Sequence, residues 1–392
     1  MSDAIDCARD GVSCHGALMS REDTLALVQR LVDAARRRDV SQLMECYGDE
    51  AVASSPVFGD VRGRAAIAGT WERLFSTLAD IHIEVSDVLI DGNRTAVLAS
   101  VGITDRKGWF GLPPTGSAIA YRLVIMLTLA DGKIVRDERI YDSAGVLERL
   151  EKARIDKELR TAADVQRALL SRTVHRNRFY ESVGDSLPCR AIGGDFFEFV
   201  ELPSGSVGVA MGDVAGKGPP AALLAAMLQG MFASEAPIAG SPAATLARIN
   251  RLLIRREVES RFATLVYGVL SADGAFVYSN AGHNAPALLA AGGIRRLTTG
   301  GPILGAFLDA TFEEETLYVQ RGHTVVMFTD GVTEARDARG EELGEDRLMA
   351  CLRANAGSPP AVLLSRIFAA VRDFGAGADQ ADDITVTVTQ YG

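Results

Sequence analysis

The sequence predicts an α+β protein of two folded domains joined by a helix. Three observations lead there. Hydrophobic spacing changes from three-and-four to two within the first 143 residues. No Gly or Pro occurs between Val146 and Val183. Beyond Gly184 the chain turns Gly-rich, and short apolar strands mix with pairs of helices.

The first twenty residues have no apolar core, so they read as a disordered N-terminus and not as a signal peptide. From Arg21, Leu25, Val28, Leu31, Val32 and Ala35 mark one helix face, with Arg36, Arg37 and Arg38 in its last turn. A short helix over 40–47 follows, then one over 64–79 carrying Ile67, Trp71, Leu74, Phe75 and Leu78. Ile81, Ile83 and Val85 then alternate with polar residues. Asp91-Gly92 and Asp131-Gly132 supply hairpin turns between strands 95–103, 118–129 and 134–140. Residues 21–145 are therefore expected to place helices before a curved antiparallel sheet.

Residues 146–177 are expected to form a helical linker. Ile155, Leu159, Ala162, Gln166 and Leu169 follow a 4-3-4-3 spacing, the a/d seam of a short coiled coil. A seam on a charged helix between two domains favours a homodimer through this segment over one amphipathic helix packed on its own domain. In 178–392, strands are expected at 196–202, 207–211, 262–270, 276–279, 324–328 and 384–389. Helices are expected at 219–233, 242–258, 345–354 and 360–374, the first two opened by Pro.

The chain has 392 residues, 41 basic and 51 acidic, for a net charge of −10. Such a balance disfavours nucleic-acid binding. The most apolar run, 118–130, is too short to span a bilayer and contains Arg122. Five widely spaced cysteines, Cys7, Cys14, Cys46, Cys189 and Cys351, form neither a disulfide framework nor a zinc motif. A cytoplasmic protein without membrane contact is expected.

Four acidic positions share one context, a strand edge beside Gly or a turn. They are Asp195 after Gly193-Gly194, Asp213 after Gly212, Asp330 before Gly331, and Asp382 with its neighbour Asp383. Each adjoins an apolar strand that belongs in a core. Asp-Gly pairs are also ordinary turns, so each Asp alone signifies little. Brought together, such carboxylates would repel one another unless cations compensate, and hard oxygen ligands suit Mg²⁺ or Mn²⁺. Arg190 and Lys217 are candidates to contact a phosphate, and each also reads as an ordinary surface cation. His283 has no second His nearby and reads as structural, and His323 opens a strand.

The stretches LPCRAIGGDFFEF, GDVAGKGPPAALLAAML, NAGHNAPALL, GGPILGAF, MFTDGVTEARD and DQADDITVTV carry a resemblance. Together they resemble the SpoIIE/RsbU-type serine/threonine phosphatases of the metal-dependent PPM class. That resemblance implies an α/β sandwich of antiparallel sheets flanked by helices, with two Mn²⁺ or Mg²⁺ ions. It implies metal ligation by Asp195, Asp213 (bridging), the Val214 carbonyl, Asp330 and Asp382. Asp383 would support them from behind, and no protein nucleophile is expected. It implies a phosphorylated STAS-domain anti-sigma-factor antagonist as substrate.

Residues 21–145, through RGRAAIAGTWERLF and TGSAIAYRLVIMLTLADGKIVRDERIYDSAGVLERL, resemble the SnoaL-like branch of the nuclear-transport-factor-2-like superfamily. A cone of helices on a curved sheet is implied, serving as a ligand sensor, a dimerisation platform or a catalytic pocket. His82, Asp137 and Asp142 are the candidate acids or bases, with Asp137 and Arg139 on one strand face and expected in solvent. Trp109, Phe110 and Leu112 would rim or pack on the cone. Two other functions fit the same chain: a non-catalytic ligand-responsive dimer, and an N-terminal isomerase or cyclase.

Overall fold

A computed structural model describes residues 18–78, 80–169, 173–256 and 262–392. The disordered segment expected over 1–20 lies outside the described residues up to residue 17. The chain divides into two compact units between Glu158 and Leu159.

The first unit runs α1 (Arg21–Arg37), α2 (Val40–Glu45), β1 (Tyr47–Ser55), β2 (Gly59–Arg62), α3 (Arg64–Thr77), β3 (His82–Asp91), β4 (Arg94–Thr104), β5 (Ala118–Ala130) and β6 (Lys133–Ile140). Ser20 starts α1 by accepting the Asp23 N–H at 3.0 Å, and Arg38 ends it in the left-handed conformation. Leu27, Val28, Leu31, Val32 and Ala35 are buried on its inner face. The six strands lie in the order β2-β1-β6-β5-β4-β3, antiparallel except for the parallel β1–β6 pair. A register shift between Val85 and Asp87 interrupts the β3–β4 ladder. One core joins α1, α2, α3 and the sheet through Leu43, Ile67, Trp71, Phe75, Leu127 and Ile134.

Two strands here were not expected. Tyr47–Ser55 reads YGDEAVASS, in which only Tyr47 and Ala51 are buried. Without an alternating apolar set, period-two patterning gives no sign of β1. It forms because β6 offers a partner almost ninety positions downstream, pairing Ala53 with Asp137.

Helix α4 (Ser143–Leu169) follows. The linker helix expected over 146–177 therefore stops early. Residues Val174–Asn177 are a strand, β7, paired antiparallel with β8 (Tyr180–Leu187). Absence of Gly and Pro permits a helix but does not impose one. Thr173 and Val174 are β-branched, and the Asn177 carboxamide accepts the Arg178 N–H in the turn. The expected seam also divides. Leu159, with Ala163, packs against Ile192 and Ala222 of the same chain. Ile155 and Leu169 stay about half exposed.

The second unit continues with β9 (Phe196–Glu201), β10 (Val207–Val214), α5 (Pro219–Glu235), α6 (Pro242–Ile254), β11 (Ala263–Leu270), β12 (Ala275–Ala281), β13 (Ala287–Ala290), β14 (Gly293–Arg296), β15 (Gly300–Gly301), β16 (Glu315–Tyr318) and β17 (Thr324–Phe328). It closes with α7 (Asp330–Thr333), α8 (Gly344–Ala354), α9 (Pro360–Phe374) and β18 (Ile384–Tyr391). One sheet runs β15-β12-β11-β10-β9, with β16 on β12; the other runs β14-β13-β17-β18-β8-β7. Strand alternation sorts the side chains into three layers. Phe197, Met211, Val266 and Met327 fill the space between the sheets. Phe196, Ala210 and Leu265 face α5 and α6, while Val326, Phe328 and Val386 face α8 and α9. This is the layered α/β sandwich that the strand and helix-pair pattern predicts. No helix among the described residues is long and apolar enough to cross a membrane.

Phe232 of α5 is fully buried and meets Tyr267 edge-on at 4.8 Å. Phe232→Ala should lower the unfolding free energy by about 3–5 kcal/mol in a denaturant titration.

Candidate metal centre

The strands that flank the sandwich's middle all present acids at one end. In the β9–β10 ladder Phe196 pairs with Gly212, which sets Asp195 beside Asp213. In the second sheet Phe328 pairs with Val386, so Asp330 after β17 and Asp382 before β18 come to the same end. A Cβ on Gly194 would stand 2.9 Å from the Val214 carbonyl oxygen, so glycine lets that carbonyl approach the Asp195 loop. A Cβ on Gly331 would collide with the Asp383 backbone, so glycine admits α7 against the 382–383 turn.

The acids perturb one another strongly. Burial pushes Asp195 well above the usual carboxylate range, and the Asp213 charge adds to it. Asp213 is pushed up to about 7 by burial, then by Asp330 and Asp382. Asp330 is raised by burial and by Asp382. These are groups that a nearby cation would return to the ionised state. The donor set, carboxylates with a backbone carbonyl at hand, fits hard divalent ions such as Mg²⁺ or Mn²⁺.

A scaffold fixes these acids. The Thr329 hydroxyl, fully buried, donates to Asp195 Oδ2 at 2.7 Å and accepts the Thr385 N–H at 3.0 Å. Asp383 accepts two backbone N–H groups, from Cys189 at 2.8 Å and Gly194 at 2.7 Å. It thus ties the Asp195 loop to the turn that carries Asp382. The Gln166 carboxamide, near the end of α4, donates to the Gly193 carbonyl at 2.7 Å and accepts the Gly193 N–H at 3.2 Å. That pair sits two residues before Asp195.

The basic residues divide. Lys217 gives its ammonium to Asp382 at 2.8 Å and to the Ala381 carbonyl at 2.5 Å. In this cation-free structure its ammonium is thus engaged by the 381–382 turn. Arg190 is exposed, and its Nη1 comes within 3.5 Å of where a Cβ on Gly218 would sit. Its guanidinium therefore lies beside the Lys217-Gly218 turn. The Cys189 thiol and the Asp382 and Asp383 carboxylates lie within 4.8 Å of one another. Burial and Asp383 push that thiol up to about 11. His283 is buried, shares a hydrogen bond with Thr264 at 2.7 Å and is pushed down to about 4 by burial, so it is neutral.

Sequence reasoning missed Thr329, Gln166 and Cys189. Thr329 adjoins Asp330, a local signal. Nothing local marks Gln166, which reads as a coiled-coil position.

The N-terminal candidates do not assemble. His82 and Asp142 are exposed, and Asp142 accepts the Gly145 N–H at the start of α4. Asp137, expected in solvent, is fully buried. It takes the Tyr47 hydroxyl at 2.5 Å and the Arg139 guanidinium at 2.9 Å, so ion pairing offsets its desolvation. Trp109 is buried and packs on Phe110 and Tyr121.

Residues 203–392 match the family described as Stage II sporulation protein E (SpoIIE), and residues 28–137 match the SnoaL-like domain. The SpoIIE match begins downstream of Asp195. The chain is 30% identical over 189 residues to phosphoserine phosphatase RsbU of Bacillus subtilis, covering 47% of this chain and 56% of that protein. It is 30% identical over 232 residues to protein IcfG of Synechocystis, covering 51% of this chain and 36% of that one. The chain thus spans about half or less of each relative. The SiaA-PP2C domain of Pseudomonas aeruginosa shares the fold at a TM-score of 0.55 and 19% identity, covering 62% of this chain and 99% of that domain.

Two outcomes follow for the cation-free protein. An acid whose pKa is raised on folding favours the folded state below its unfolded pKa and loses that contribution as pH rises through the folded value. For Asp213 the loss falls between about pH 4 and 7. Chelator-treated wild type should therefore lose more melting temperature between pH 5 and 8 than Asp213→Asn does. Asp195→Asn should raise the melting temperature of the chelator-treated protein at pH 8, by about 2–4 °C per kcal/mol of relieved repulsion. It should also shrink the gain on adding Mn²⁺.

Proposed function

With a SpoIIE-type PPM domain in residues 203–392 and a SnoaL-like domain in 28–137, we propose that this chain is a metal-dependent protein serine/threonine phosphatase regulated by its N-terminal domain. The observation that carries the reading is the convergence of Asp195, Asp213, Asp330 and Asp382, three of which burial and mutual repulsion push upward. Such a cluster is costly alone and is stabilised by divalent cations.

Asp195, Asp213, Asp330, Asp382 and the Val214 carbonyl would hold two Mn²⁺ or Mg²⁺ ions. Bound there, the ions supply positive charge for a phosphoryl group and draw the nucleophile from water. The chain's own residues do the rest. Asp383 and Thr329 hold the ligand loops in register. Lys217 offsets charge on Asp382. Arg190, at the rim, is placed to take phosphate oxygens in a fork. No Ser, Cys or His is required to attack phosphorus.

RsbU is named a phosphoserine phosphatase, which supports phosphoserine, with phosphothreonine, as the substrate class. The substrate we propose is a phosphorylated STAS-domain anti-sigma-factor antagonist in the cytoplasm. Regulation would run through α4, whose Gln166 grips Gly193 two residues before Asp195. Ile155, Val165 and Leu169 stay exposed on α4, which supports a homodimer through this helix.

The decisive assay is Mn²⁺-dependent release of phosphate from phosphorylated STAS proteins. Asp213→Asn should cut turnover more than about 100-fold, beyond the usual range for residues behind the ligands. Full activity in that variant would refute the centre. Gln166→Ala should raise the Mn²⁺ concentration for half-maximal activity by about tenfold, without loss of fold by circular dichroism.

A further inference from the structure

A hollow of about 190 Å³ opens in the second unit between the end of α9, the turn into β18 and the residues that follow α7. Leu187, Ala335, Phe368, Val371 and Ile384 give it an apolar lining. Val371 and Ile384 are buried in the core beneath α9, whereas Leu187, paired with Ile384 across β8 and β18, is half exposed. The two arginines of the lining already have partners in solvent. Arg336 pairs with Glu342 at 2.9 Å and Arg372 with Asp373 at 3.7 Å.

Asp382 also lines this hollow. It is one of the acids of the candidate metal centre, so the two places share a wall. That wall is the turn over 379–382, and it is pinned from both sides. The Gln380 carboxamide donates to the Leu187 carbonyl at 2.8 Å and to the Asp382 carbonyl at 2.7 Å. The Lys217 ammonium donates to the Ala381 carbonyl at 2.5 Å and pairs with the Asp382 carboxylate at 2.8 Å. The hollow is therefore formed before anything enters it. An apolar cavity of about 150 Å³ is enough for one benzene molecule. This hollow thus has room for one side chain of Leu, Met or Phe size.

We propose that the hollow is a specificity subsite, which takes an apolar side chain two residues from the phosphorylated one in the substrate protein. In an extended segment, side chains two residues apart point the same way, about 7 Å from each other. A segment that sends its phosphorylated side chain to the acids sends the next one on that face past Asp382, into the hollow. Burial against Phe368, Val371 and Ile384 then supplies affinity away from the reacting atoms, so it acts on KM more than on kcat. The inference rests on the phosphatase reading and adds a sequence preference to it.

The probes are two phosphoserine peptides and p-nitrophenyl phosphate, which has no flanking residues, each assayed with the full chain and Mn²⁺. One peptide is acetyl-Ala-Leu-Ala-phosphoserine-Ala-Leu-Ala-amide, and the other carries Asn in place of both Leu. The Leu peptide should have about tenfold higher kcat/KM, through KM. Ala378→Trp, which fills the hollow from its lining, should remove that preference and leave turnover of p-nitrophenyl phosphate within about twofold. Leu187→Asn, at the half-exposed rim and outside the buried core, is measured beside it and should cut the preference about threefold. Equal kcat/KM for the two peptides would overturn the proposal. So would a preference that neither variant changes, or turnover of p-nitrophenyl phosphate and of neither peptide. Turnover of none of the three would refute the phosphatase reading itself, and the subsite with it.

Discussion

Repulsion among buried carboxylates is the constraint around which the second unit is organised. Asp195, Asp213 and Asp330 are pushed upward by burial and by one another. Side chains free to turn outward would separate. They do not, because the backbone that carries them is pinned. Thr329 fixes Asp195, and Asp383 spends both oxygens on the N–H groups of Cys189 and Gly194. Each pinning bond joins segments far apart in the chain. The site is therefore a property of the closed sandwich, and its strain is what a divalent cation would relieve.

The layered sandwich makes this possible. Two sheets share an apolar filling, and helix pairs cover both outer faces. The strand ends then hold still, and functional groups at those ends inherit the rigidity. The end of α4 belongs to the same rigid set, through Leu159 and Ala163 against Ile192 and Ala222. Gln166, near the end of this helix, holds Gly193 two residues before Asp195, so the helix end is part of the site's support.

Much of this was legible in the sequence, for local reasons. The helices opened by Pro, the Asp-Gly hairpins and the four acids beside strands each carry their signal within a few residues. What was not legible depends on distant partners. Strand β1 has no alternating pattern and exists through β6. Asp137 reads as a solvated sheet residue until Tyr47, ninety positions away, closes over it. Gln166 reads as a seam position, yet it serves Gly193. Nothing local in the sequence marks the Lys217–Asp382 ion pair, which joins residues far apart in the chain. The helix expected to reach residue 177 has given way by residue 174, where Val174–Asn177 pair with β8 in a hairpin.

The central claim is that the clustered acids form one centre for two divalent ions. The most direct measurement is calorimetric titration of Mn²⁺ into the chelator-treated chain at pH 7.5. Two ions should bind per chain, and replacing Asp195, Asp213 and Asp330 together by Asn should remove both. Unchanged stoichiometry and affinity in that triple variant would contradict the claim.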